Sequence, residues 1–302
     1  MSHVFAPNEQ LTKSLTIVCD NIAKRTNGAI EIQQYPQGQL ATYKDGVEQV
    51  VQGAKFISVE DPSYLGDYVA DFNALVGPML YSNFDQYEYL IRTDLVKRMI
   101  KEVEDKHRIK VLALDYIFGF RSLMTNKVIK TPADLKGMKI RVQPSPTAVK
   151  MVELLGANPT PIAFGELYTA LQQGVVDGAE NNESALVDNR HGEVSKFYSY
   201  DRHTMIPDVL VMSTKDWDKL TPEQQAAIKK AGRESMMLQK QLWAENTEKV
   251  IKEAKEKLGV TFVEDVDTAA FAAKVLPMHE EATKASPQAA DLIKRIKEKA
   301  PK

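Results

Sequence analysis

Residues 137–144 read GMKIRVQP, and residues 118–126 read FGFRSLMTN. Each sets one arginine, Arg141 or Arg121, inside an apolar run of β character. A guanidinium is permanently charged and presents planar, fixed donors, so placing it in such a run is costly unless an anion meets it. A third stretch, GVVDGAENN at 174–182, ends a turn-rich segment on Asn181 and Asn182. Two arginines on short strands, with amides close in sequence to a third, suggest a pre-built socket for a carboxylate.

The composition is that of an ordinary soluble protein with room for two domains. The chain has 302 residues, 43% hydrophobic and 26% charged. Lys+Arg 39 against Asp+Glu 41 gives a net charge of -2, so no global basic field points to nucleic acid or an anionic membrane. The single cysteine, Cys19, excludes an internal disulfide and a multi-cysteine metal site, and its neighbours Leu15, Val18 and Ile22 mark it as helix filler. No run is long and apolar enough for a membrane span, and MSHVF opens without a basic, then apolar, export leader.

Outward from the socket, the first third alternates helix and strand. Leu11, Leu15, Val18 and Ile22 recur at helical spacing, Ile30–Gln33 alternates as a strand, and Val47, Val50 and Val51 belong to a helix ended by Gly53. Phe56–Val59 is a buried strand that delivers Glu60 and Asp61 at its carboxyl end, where α/β sheets take ligands. One helix over 85–105 and the strand IKVLAL at 109–114 follow, predicting a largely parallel sheet. Past Tyr116 a second α/β unit begins: strands at 120–125 and 138–142, helices at 147–155 and 165–173, and a short strand before Asn181. Strands at 209–213 and TFV 261–263 complete the list. TPEQQ at 221–225 is a capping box, and nothing breaks the helix after it until Leu258. That is roughly 50 Å at 1.5 Å per residue, long enough to serve both domains.

Catalytic signatures are missing. The sequence has no P-loop, nucleophile elbow, HExxH or strand-linked GxGxxG, and its five histidines show no metal-ligand spacing. His203, in DRHTMIPD, reads as surface or cleft lining rather than a base.

GMKIRV, preceded by TPADLK and followed by PTPIAFGELYTALQQGVVDGAEN, resembles the substrate-binding proteins of TRAP transporters, the DctP-type tripartite ATP-independent periplasmic uptake systems. The match is collinear from HVFAPNEQLTKSL through RTNGAIEIQQYPQGQL to the long helix after TPEQQ. The resemblance implies an α/β, two-lobed periplasmic-binding-protein-like fold with a hinge, a ligand cleft and a helix spanning both lobes. The implied lobes are residues 1–118 with 207–246, and 119–206 with 247–302. Arg141 matches the arginine that grips the ligand carboxylate bidentately, and Arg121 a second arginine that adds to the grip. Asn181 matches an asparagine that bonds the carboxylate or a hydroxyl, Phe164 an aromatic beside the arginine, and Glu60 an acid facing ligand polar groups. Asn182 and Asp208 sit where such proteins vary and are carried as further ligand contacts.

The expected function is an extracytoplasmic solute-binding protein that captures an organic acid by hinge closure and delivers it to TRAP permease subunits in the membrane. An acid at Glu60 suits hydroxyls better than an anion, which favours a sugar acid, a uronate or aldonate, over a plain dicarboxylate. A periplasmic monomer is expected, with no enzyme activity, no cofactor or resident metal and no nucleic-acid partner. Two alternatives stay open: a cytosolic enzyme acting on a sugar acid, and a ligand-sensing module of a signalling system.

Overall fold

The computed structural model describes residues 1–116 and 119–299. The chain divides into two compact units. Met1–Phe72, Glu88–Phe118 and Pro207–Ala244 form one; Asn73–Tyr87, Gly119–Ile206 and Glu245–Lys302 form the other. In chain order the strands are β1 (Ser58–Glu60), β2 (Ile109–Tyr116), β3 (Arg121–Thr125), β4 (Lys139–Val142) and β5 (Asn158–Pro161), then β6 (Gly178–Asn181), β7 (Phe197–Thr204), β8 (Asp208–Ser213) and β9 (Thr261–Val263).

The first unit has a three-stranded sheet in the order β1-β8-β2. Both pairings are antiparallel, with Val59 opposite Leu210 and Val111 opposite Val211. This corrects the largely parallel sheet expected from the helix–strand alternation. The slot between β1 and β2 is filled by β8, which arrives from far along the chain in the opposite sense. The helix Gln10–Arg25 buries Leu11, Leu15, Val18, Cys19 and Ile22 against Val59, Leu210, Trp217 and Trp243. Residues 30–33 do not form a strand; two residues further on, Tyr35 makes an isolated parallel bridge to Ser2. The single helix expected over 85–105 is two, Phe84–Ile91 and Asp94–His107. Thr93 makes the break: its Oγ1 donates to the Leu90 carbonyl at 2.6 Å and caps the second helix.

The second unit has a six-stranded sheet in the order β5-β4-β6-β3-β7-β9. β4 runs parallel to β5 and β6, whereas β3 is antiparallel to β6 and β7. Both faces are covered. Leu123 and Ile140 pack with Phe271 and Val275, while Met124 and Ala179 pack with Leu171 and Ala254. Consecutive residues of β3 thus enter different cores, as the two-residue period of a strand requires. β5 and β7 were not anticipated. β5 reads NPTP, and its prolines are tolerated because it is an edge strand. Residues 73–87, placed by sequence in the first lobe, pack with the second unit: the Met79 amide donates to the His203 carbonyl at 2.7 Å, and His279 Nε2 to the Pro78 carbonyl at 2.6 Å.

The helix Pro222–Leu258 opens with the expected capping box, Thr221 N to Gln224 Oε1 at 2.9 Å and Gln224 N to Thr221 Oγ1 at 3.2 Å. Its residues through Ala244 belong to the first unit and those from Glu245 to the second. The tightest backbone approach near the arginines is at Gly178. A Cβ there would stand 2.6 Å from Thr125 Cγ2 and 2.7 Å from the Met124 carbonyl oxygen. Gly178→Ala should therefore destabilise the fold by about 1–3 kcal/mol through overpacking, measured as a lower midpoint of chemical denaturation at unchanged slope.

Candidate anion-binding site

Strand register gathers the predicted residues of the second unit. β6 lies between β4 and β3, with Ala179 opposite Arg141 and Asn181 opposite Ser122. Both arginines, Asn181 and Asn182 are buried.

Arg121 does not present an open fork. Its Nε and Nη2 hold Glu180 bidentately at 2.5 and 2.8 Å; Nη2 also reaches the Glu180 carbonyl at 2.9 Å, and Nη1 donates to Asn181 Oδ1 at 3.1 Å. The anion this strand arginine needs is supplied from within the chain. Behind Glu180 stands His203, fully buried, with Nδ1 2.8 Å from Asp201 Oδ2 and Nε2 3.3 Å from Glu180 Oε2. Asp201 Oδ1 accepts from the Leu123 amide at 3.2 Å. Burial alone would lower the His203 pKa, but the Asp201 and Glu180 carboxylates outweigh it and raise it to about 9. Burial likewise pushes Glu180 up, and Arg121 with His203 reverses this, holding it at about 2. His203 is thus an imidazolium between two carboxylates, not the surface or cleft residue expected from its turn-like sequence. The four groups form two cations and two anions.

Arg141 is held differently. Its side chain is only 1% exposed. Nε donates to the Ile162 carbonyl at 2.8 Å, and the guanidinium carbon lies 5.6 Å from the centre of the Phe164 ring. Phe164 meets His191 edge-on, with ring centres 5.7 Å apart. Burial and the Arg141 charge lower the His191 pKa to about 3, so its imidazole stays neutral. Asn181 Oδ1 also accepts from the Asn182 amide at 2.9 Å, and Asn182 Oδ1 accepts from Ser184 N and Oγ at 3.2 and 2.7 Å. With both amide oxygens turned inward, these side chains can offer N–H donors, which suits an anion or a hydroxyl oxygen.

Glu60 and Asp208 belong to the first unit. Glu60, opposite Val209 in the sheet, accepts from Tyr43 N at 2.7 Å and Ser58 Oγ at 2.6 Å. A Cβ on Gly46 would stand 2.6 Å from Glu60 Oε1, so a larger residue there would have to push the Glu60 carboxylate aside. Burial raises the Glu60 pKa well above the usual range; bonds from Ser58 and Tyr43 oppose this, and Asp208 and Asp61 add to it. Asp61 accepts from Ser63 N at 2.7 Å and caps the turn Pro62–Leu65. Among the described residues no histidine, cysteine and carboxylate group has the makings of a metal site.

Glu180, Asp201, His203 and His191 were not singled out as site residues from sequence. A charged triplet, Asp201-Arg202-His203, inside what proved to be β7 was the available signal.

A fold of two α/β units, one carrying a buried arginine on a strand beside an aromatic ring, is that of a solute-binding protein. The chain belongs to the bacterial extracellular solute-binding proteins, family 7, whose model matches residues 1–285. It is 34% identical to the uncharacterized protein YiiZ of Salmonella typhimurium, covering 97% of this chain and 89% of that protein. It is 30% identical to the 2,3-diketo-L-gulonate-binding periplasmic protein YiaO of Escherichia coli, covering 92% and 85%. Among solved structures, a TRAP periplasmic solute-binding protein from Desulfovibrio salexigens in complex with diglycerolphosphate is 46% identical, with a TM-score of 0.93 over 98% of this chain and 95% of that one. One from Fusobacterium with bound sn-glycerol-3-phosphate is 36% identical, with a TM-score of 0.94 over 98% and 96%. One from Xanthobacter autotrophicus with bound β-D-galacturonate is 33% identical, with a TM-score of 0.90 over 98% of each chain.

The buried network dictates how stability responds to pH. His203, raised from 6.5 to about 9, contributes stability that is complete below pH 6.5 and lost as pH rises through 9. Glu180, depressed from 4.5 to about 2, contributes stability present above pH 4.5 and lost as pH falls through 2. The Tm of the unliganded protein should fall between pH 6.5 and 9, and His203→Gln should flatten that decline. Arg121→Ala, which strands Glu180 in the interior, should cost about 3–5 kcal/mol in denaturant unfolding.

Proposed function

We propose that this chain is a periplasmic binding component that captures a polyhydroxylated organic anion on Arg141 and hands it, chemically unchanged, to the membrane subunits of a TRAP uptake system. The observation that carries this is Arg141 itself: a guanidinium buried on a strand, braced by a backbone carbonyl and an aromatic ring. Held so, the fork is pre-organised for an oxyanion and loses little side-chain freedom on binding. Asn181 and Asn182 supply neighbouring N–H donors. Arg121 acts by fixing Asn181 and Glu180 rather than as a second open grip. Glu60 and Asp208 are the proposed partners of ligand hydroxyls.

A sugar acid is the first candidate. The Xanthobacter protein has galacturonate bound, YiaO is named for diketogulonate, and a relative from Actinobacillus succinogenes holds L-galactonate. A second ligand class has its own support: the structures at 46% and 36% identity hold a diglycerolphosphate and a glycerol phosphate. Both classes join an oxyanion to a polyol. The protein acts as a monomer and performs no chemistry on its ligand.

A thermal-shift panel of uronates, aldonates, dicarboxylates and glycerol phosphates checks this. One polyhydroxylated anion should raise the wild-type Tm by mass action and be recovered intact by mass spectrometry. Arg141→Ala should weaken its binding on the order of a hundredfold or more, the cost of removing one partner of a buried charge pair. Equal responses from wild type and variant, or conversion of the ligand, would overturn the proposal.

A further inference from the structure

His191 opens the short turn His191–Glu193 and is 2% exposed. Its Nδ1 has no hydrogen-bond partner among the described residues. A buried polar atom left unsatisfied calls for an explanation, and a ligand group is one of the few available. The ring rests edge-on against Phe164, the same ring that carries the Arg141 guanidinium.

The turn that holds His191 is built at some cost. Arg190, just before it, adopts the left-handed conformation at φ 63°, unfavourable for a side chain of that size. Glu193 clasps Arg190 through Nε and Nη2 at 2.8 and 2.9 Å and takes the Tyr168 hydroxyl at 2.9 Å. Lys196 Nζ ties the Gly192 and Leu258 carbonyls at 2.9 and 2.8 Å. A Cβ on Gly192 would meet Leu258 Cδ1 at 2.9 Å and the Leu186 carbonyl oxygen at 3.0 Å. Strain and clamps fix the imidazole beside Arg141, yet none of them uses Nδ1.

The geometry of the Arg141 fork gives that atom a task. Nε is committed to Ile162, so a bidentate contact with an anion would have to use the Nη1/Nη2 edge, with two parallel donors. Two donors match the two oxygens of a carboxylate. A phosphate monoester has a third terminal oxygen that needs a donor from elsewhere. We propose that His191 donates from Nδ1 to this third oxygen and so selects a phosphorylated polyol over a carboxylate at the Arg141 socket. The assignment rests on Arg141 as the anion site and names the head group that site prefers. A neutral imidazole with its proton on Nδ1 serves the purpose.

The test uses calorimetric titration with two probes that share a diol and differ in the head group: sn-glycerol 3-phosphate and 3,4-dihydroxybutanoate. Wild type should bind the phosphate at least tenfold more tightly. His191→Phe keeps a ring against Phe164 but has no donor, and should reduce the ratio of the two affinities at least tenfold. His191→Asn restores an N–H near the Nδ1 position and should recover part of the ratio. An unchanged ratio in His191→Phe, or a wild type that prefers the carboxylate, overturns the His191 assignment and leaves Arg141 as an anion site. Failure of wild type to bind either probe or any sugar acid of the panel overturns both.

Discussion

A cation that folding buries must be met by an anion, a dipole or a π face, and this requirement organises the second unit. Its two strand arginines meet it in opposite ways. Arg121 is neutralised inside the chain by Glu180, which is itself shared with the imidazolium of His203 and backed by Asp201. Arg141 is braced by the Ile162 carbonyl and the face of Phe164. The first arrangement is a closed structural element. The second holds the guanidinium in place with a backbone dipole and a π face.

The sheet makes this division possible. β6 is central, flanked by β4 and β3, so one short strand supplies Ala179 beside Arg141 as well as Glu180 and Asn181 for Arg121. A small residue opposite Arg141 leaves room for the guanidinium, while the next two residues bind its counterpart. Gly178 at the start of β6 lets that strand approach Thr125 more closely than any side chain would allow. Shifting the register by one residue would exchange these roles and place Glu180 opposite Arg141.

Part of this was legible in the sequence. The two arginines stood out because charge inside an apolar strand is rare, and the family resemblance drew attention to Phe164, which lies against Arg141, and to Asn181, which bonds Arg121. What could not be read was that Glu180 is the anion for Arg121. Glu180 is adjacent to Asn181 in sequence, but its partner is 59 residues away, and only the antiparallel pairing of β3 with β6 brings them together. β7 was missed because Asp201, Arg202 and His203 break the apolar alternation, and two of them are fully buried only as members of the network. β5 was missed for its prolines, which local chemistry forbids in a central strand but an edge position permits. The antiparallel β8 escaped notice for a related reason: helix–strand alternation predicts parallel neighbours, and nothing local announces a strand inserted from far along the chain.

These arrangements also divide the electrostatic work. Arg121 and His203 are balanced by Glu180 and Asp201, so the network adds little net field to the site. With His191 held neutral, any attraction for an anion among these second-unit groups falls chiefly to Arg141. One cation attracts carboxylates and phosphates alike and does little to tell them apart. Discrimination must then come from directional donors around it, whose number and placement have to match the oxygens of the head group; an unmatched oxygen in a buried site forfeits the hydration it gave up. If Arg141 takes the ligand's anion, the uncharged groups beside it, more than a second positive charge, decide which anion is preferred.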